Sequence, residues 1–174
     1  KIDFDFSRFM SEINSGLVFL SNIPQGLGHG SSGALCAGLY YRYCKNPEDL
    51  DVLKDNLSKM ESFYHGKSSG VDPLVSYLNC PILQNSKGEL IQLNSQDVRH
   101  FSKYFYTLNS GVVRDDINFS QVYENAVRGN SMTYTVLGPE IVNRCIDSFL
   151  KEDITQLTKS VKEFSKQTCA DVMR

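Results

Sequence analysis

The sequence predicts an α+β chain, and three observations carry that expectation. Up to about residue 110, short apolar runs bounded by turn formers alternate with segments whose apolar residues recur every three or four positions. Beyond that point the helical period dominates. Between the first apolar run and the first helical segment lies Ile23–Leu35, where Gly26, Gly28 and Gly30 alternate with other residues and Ser31 and Ser32 stand at the threshold of a helix-like stretch.

Residues 1–14 are ambiguous, with Phe4, Phe6, Phe9, Met10 and Ile13 able to serve a short strand and then a helix turn. Gly16 to Ser21 is a short apolar run between turn formers and reads as a buried strand that Pro24 ends. Ser31 to about Cys44 reads as a helix with Leu35, Leu39 and Tyr43 spaced by four, and with Ala34, Ala37 and Gly38 small enough for close packing on a sheet. Pro47-Glu48-Asp49 has the composition of a helix start, and Leu50, Leu53, Leu57, Met60 and Phe63 or Tyr64 form a stripe up to a glycine stop at Gly66. Val75 to Leu78, Ile82 to Gln84, Leu90 to Leu93 and Tyr104 to Leu108 read as strands, with a hairpin turn at Asn85-Ser86-Lys87-Gly88. Helical patterns follow at Phe119–Val127, Glu140–Lys151 and Asp153–Thr168, with Gly138-Pro139 ahead of the second. The polar stretch 94–102 marks a boundary between two domains, expected at 1–98 and 99–174.

Composition narrows the function classes. A length of 174 residues with 10 Phe and 9 Tyr supports a real core. A net charge of −2 without a basic cluster argues against nucleic-acid binding. No apolar run approaches the roughly 20 residues of a membrane span. Five widely spaced cysteines with no Cys-x-x-Cys pair, and three histidines without ligand spacing, argue against a disulfide framework and structural zinc. They point to free thiols in a reducing cytoplasm.

Two stretches carry the candidate chemistry. Glycines in the first permit positive φ and close approach of backbone to a ligand. A helix starting after them aims N–H groups and the positive end of its dipole into the loop, which favours an anion such as phosphate. The second stretch, Met60–Asp72, holds Glu61 at the end of an apolar helical stripe and Asp72 after a Ser-Gly-Val turn. Taken alone, Glu61 reads as a solvated helix-end acid and Asp72 as a turn aspartate. Taken together, the two stretches supply the parts that phosphoryl transfer to a hydroxyl requires. These are a phosphate cradle, a hydroxyl and a carboxylate for Mg²⁺, and a second carboxylate for the attacking group.

Both stretches resemble a known family. Pro24-x-Gly26-x-Gly28-x-Gly30-Ser31-Ser32-x-Ala34 is similar to the phosphate-binding motif of the GHMP kinases, and Glu61-x-x-x-His65-Gly66-x-x-Ser69-Gly70-Val71-Asp72 to a segment of the mevalonate kinases among them. The likeness covers residues 17–76. It implies a GHMP-kinase fold, ATP and Mg²⁺ as cofactors, and a small-molecule alcohol of the mevalonate type as acceptor, in a cytoplasmic monomer or homodimer. It implies that Pro24, Gly26, Leu27, Gly28, His29, Gly30, Ser31 and Ser32 wrap the triphosphate. Ser32 and Glu61 would ligate Mg²⁺, Asp72 would be the catalytic carboxylate, and His65 and Ser69 would shape the acceptor end. The chain departs from the pattern at His29, where an apolar residue is usual, at Gly33 for alanine, and at Lys67-Ser68 for an Asn/Thr-Pro pair. The family's lysine-bearing first strands and its last glycine-rich motif have no counterpart here, so the chain is expected to be a central fragment. The alternatives are another GHMP kinase, acting on homoserine, phosphomevalonate or a sugar, and a non-catalytic nucleotide-binding domain of that fold.

Overall fold

The computed structural model describes residues 2–24, 28–45, 49–85, 88–94, 98–99, 103–108 and 133–169, the side chains of 64, 65, 133–138 and 167–169 excepted. Among these the chain is α+β, with six helices and one two-stranded sheet. It divides into two compact units, Lys1–Ser95 and Gln96–Arg174.

The first unit is built on helices. Phe6–Asn14 (α1) begins where Asp5 accepts from the Arg8 N–H, so the expected helix turn is a nine-residue helix. Its tether to the next helix is polar. Glu12 takes the Arg8 and Arg42 guanidinium groups at 3.0 and 2.7 Å and the Tyr43 hydroxyl. Phe4 bridges to Cys44 in antiparallel fashion ahead of it.

Ser31–Tyr43 (α2) buries Gly33, Cys36, Ala37, Tyr40 and Tyr43. That face lies beside the expected Leu35–Leu39–Tyr43 stripe, and the neighbours it packs on are helices rather than a sheet. Leu50–His65 (α3) follows, capped by Asp49 on the N–H groups of Asp51 and Val52. It ends at Gly66, whose φ of +73° suits glycine, as the sequence predicts. Its buried face runs Leu53, Leu57, Glu61, while Phe63, expected in the stripe, is 88% exposed. Tyr40, Leu53, Leu57 and Leu74 form the core of this unit.

Two expected strands are not strands. Val71–Leu78 (α4) is a helix, where Val75 to Leu78 had read as a strand. Pro73 sits at its third position, where the N–H it lacks would have had no partner within the helix. Residues 17–22 form neither strand nor helix, and Val18 and Leu20 are 71% and 87% exposed, so the expected buried strand is exposed irregular chain. The hairpin is as expected. Ile82–Gln84 (β1) pairs antiparallel with Leu90–Gln92 (β2), Leu83 opposite Ile91. Asn85 closes the turn, its side-chain oxygen accepting from the Glu89 N–H at 3.0 Å.

In the second unit, 103–108 is irregular and exposed rather than a strand. The helix expected at 119–127 lies outside the described residues. Thr133–Leu150 (α5) starts before Pro139 and contains it, so the proline does not mark the start. Ile154–Cys169 (α6) begins after Asp153, whose carboxylate accepts from the Gln156 N–H at 2.9 Å. The two helices pack together around Ile141, Ser148 and Ser160 and are tied by an Arg144–Glu163 ion pair at 3.0 Å.

Candidate functional site

The first unit brings the start of α2 against the end of α3 and the start of α4, which a short loop joins. Helix α2 opens on Gly30, which has φ +71° and no side-chain cap. Gly28, two residues earlier, has φ +73°. Ser31 and Ser32 occupy the first two positions of the helix and are partly buried. The N–H groups of a helix terminus are suited to an anion.

The Ser32 hydroxyl donates to Glu61 Oε1 at 3.1 Å, across 29 residues of sequence. Glu61 is only 6% exposed. It is therefore not a solvated helix-end acid. It lies four residues after Leu57 and eight after Leu53, so the geometry of α3 carries it into the buried face. Its second oxygen, Oε2, accepts from the Ser68 hydroxyl. A buried carboxylate needs such donors, because an unpaired charge in this position would be costly. The carboxylate is felt one turn along α2, where burial first and Glu61 second push the Cys36 thiol up to about 11.

Asp72 stands in the first turn of α4, exposed, after Gly70 with φ +75°. The two glycine-led helices meet there. A Cβ on Gly33 would lie 3.0 Å from Pro73 N, 3.1 Å from Asp72 C and 3.2 Å from Asp72 Cβ. Glycine at 33 thus lets the backbone of α2 rest directly on the residue that carries the second carboxylate.

The remaining expected positions are more scattered. Pro24 and His29 are exposed. Ser69 is exposed and accepts from the Val71 N–H at 3.3 Å. His65 is the last residue of α3, and its side chain lies outside the described residues, as do Gly26 and Leu27 altogether. Sequence reasoning missed Ser68, Ser58 and Ser62, which hold the loop between α3 and α4. The Ser58 hydroxyl donates to Ser68 O at 2.7 Å, and the Ser68 N–H donates to Ser62 Oγ at 3.1 Å. Their signal was present as the i, i+4 pair Ser58 and Ser62 on the flank of the buried stripe.

The Ser32 hydroxyl and Glu61 carboxylate are hard oxygen donors, the kind Mg²⁺ takes. They fit a cation whose remaining ligands are phosphate oxygens and water. Among the described residues no group of three or more His, Cys, Asp or Glu side chains is placed to hold a metal ion, and no helix is long and apolar enough to cross a membrane. In comparisons with known proteins, no family model, no curated protein and no solved structure matches the chain.

Proposed function

We propose that this chain is the phosphate- and metal-binding part of an ATP-dependent small-molecule kinase of the GHMP type, with a mevalonate-like alcohol as acceptor. The observation that carries the reading is the contact between Ser32 and Glu61 at 3.1 Å, with Asp72 against Gly33 beside it. Residues that the sequence motifs single out separately thus adjoin at the first turns of α2 and α4 and the end of α3, and they are residue types that phosphoryl transfer uses.

In this reading the start of α2 receives the phosphates on backbone N–H groups and the helix dipole. Ser32 and Glu61 would hold Mg²⁺, which would supply neutralisation of phosphate charge. Asp72 orients the acceptor hydroxyl and takes its proton as the alcohol oxygen bonds to the γ-phosphorus. The bond from that phosphorus to the β,γ-bridging oxygen breaks, and ADP carries the electron pair away. Most of the rate gain comes from positioning and fixed charge.

The test is turnover by the intact protein with ATP, Mg²⁺ and a panel of alcohols. Asp72→Asn is expected to lower kcat about 10³-fold with ATP binding retained, the loss of a general base. Glu61→Gln is expected to raise the Mg²⁺ concentration needed for half-maximal rate. Near-normal turnover by Asp72→Asn removes Asp72 from the chemistry. Turnover of homoserine or a sugar in place of mevalonate moves the acceptor assignment. Binding of an ATP analogue with no turnover of any alcohol makes the domain a non-catalytic nucleotide binder.

A further inference from the structure

Ser68 is the most fully engaged residue of the loop between α3 and α4. Its N–H donates to Ser62 Oγ at 3.1 Å, and its carbonyl accepts from Ser58 Oγ at 2.7 Å. Its hydroxyl donates to Glu61 Oε2 and accepts the Gly70 N–H at 3.0 Å. A hydroxyl has one proton to give and lone pairs to receive, so both bonds are satisfied at once. The proline that the sequence resemblance leads one to expect at this position has neither the N–H nor the hydroxyl.

Those bonds have a directional consequence. Glu61 has two oxygens and one rotatable carboxylate plane. Ser68 holds Oε2 on the loop side, and Oε1 is left facing Ser32 at the start of α2. The same hydroxyl fixes Gly70, from which α4 and Asp72 begin. One side chain therefore sets the orientation of the buried carboxylate and anchors the turn that leads to the exposed one.

We propose that Ser68 is the positioning residue for Glu61, presenting Oε1 alone to the divalent cation. The inference rests on the reading of Glu61 as a metal ligand. Hydrogen-bond partners of metal-ligating carboxylates typically change metal affinity 10–100-fold when removed. The direct measurement is Mn²⁺ binding by electron paramagnetic resonance, in the intact protein saturated with a non-hydrolysable ATP analogue. Ser68→Ala is expected to weaken Mn²⁺ about 10-fold, and Ser68→Thr, which keeps the hydroxyl, to restore it. Ser68→Cys, of similar size with a weak donor, is expected to fall between them and stands in if the alanine variant does not fold. Asp49→Ala, which loosens the far end of α3 without touching the carboxylate, is the stability control and should bind Mn²⁺ like the unaltered protein.

The outcomes separate the two claims. If Glu61→Gln weakens Mn²⁺ while Ser68→Ala or Ser68→Cys leaves it unchanged, the role of Ser68 is overturned. Equal weakening by Asp49→Ala and the Ser68 variants also overturns it, because general loosening would then suffice. If Glu61→Gln itself has no effect, the reading of Glu61 as a ligand fails first.

Discussion

The helices of this chain start in two ways. Helices α1, α3 and α6 open on aspartates, and Asp5, Asp49 and Asp153 each accept backbone N–H groups of their own first turn. Helices α2 and α4 open on Gly30 and Gly70, both in the left-handed region and neither with a side chain to cap. An aspartate start spends its own side chain on one or two N–H groups of the first turn. A glycine start has no such side chain and lets another backbone come near, and at α4 the preceding Ser68 and Ser69 hydroxyls take the Gly70 and Val71 N–H groups instead. The first turns of these two helices touch where Gly33 meets Asp72 and Pro73, next to the Ser32 that donates to Glu61. The difference separates helix starts held by their own cap side chain from starts held by their neighbours.

The comparison breaks most sharply within the glycine pair. Gly30 and Gly70 have nearly the same φ, +71° and +75°. A Cβ at 70 would meet Lys54 O at 2.5 Å and Ser58 Cβ at 2.8 Å, whereas one at 30 meets nothing within 4 Å. Gly70→Ala should cost about 4 kcal/mol, left-handed strain plus overpacking. Gly30→Ala should cost about 1–2 kcal/mol of strain alone. Urea unfolding of both variants checks this, and equal losses would show that strain, not contact, governs Gly70. An aspartate start gives a smaller effect still. Asp49→Ala removes the carboxylate oxygen that accepts both the Asp51 and Val52 N–H groups and should cost about 1 kcal/mol by the same measurement.

The weakest effect is conditional on pH. The Arg42 guanidinium, then the Tyr43 hydroxyl and Arg8, hold the Glu12 carboxyl at about 2, below its ordinary 4.5. A depressed carboxyl stabilises the fold above the unfolded value and loses that contribution as the pH falls. Thermal melts of Glu12→Gln and the unaltered chain should therefore differ at pH 6 and converge between about 4.5 and 2. A constant difference across that window would mean that Glu12 acts through packing rather than charge.

Sequence alone made the helix α3, its glycine stop and the hairpin at Asn85 legible, because each is a local matter of period and turn chemistry. It misread Val75 to Leu78. A four-residue stretch with Val75, Tyr77 and Leu78 apolar is too short to separate strand from helix, and Gly70 five residues earlier supplies the helix start. It misread residues 17–20 for a different reason. An apolar run tells nothing of whether a partner exists, and this one is exposed. In the candidate site, Ser32, Glu61 and Asp72 were legible as residue types with chemical uses. Glu61's burial was legible too, had the i, i+4 relation to Leu57 outweighed its charge. Ser68 was not, since its value lies in bonds to residues seven before and two after it across a change of chain direction.

Gly33 has a mechanical consequence. With no side chain on Gly33, the spacing of the first turns of α2 and α4 is set by its main chain against Pro73 N and the carbonyl carbon and Cβ of Asp72. A side chain at such a seam could turn to another rotamer and let the helices settle a little differently. Peptide planes have no such freedom. The offset between Ser32 and Asp72 is thus referenced to covalent geometry, like two tools bolted to one plate. In chemistry where a displacement of about 1 Å costs about 100-fold in rate, a rigid datum of this kind matters more than any added contact.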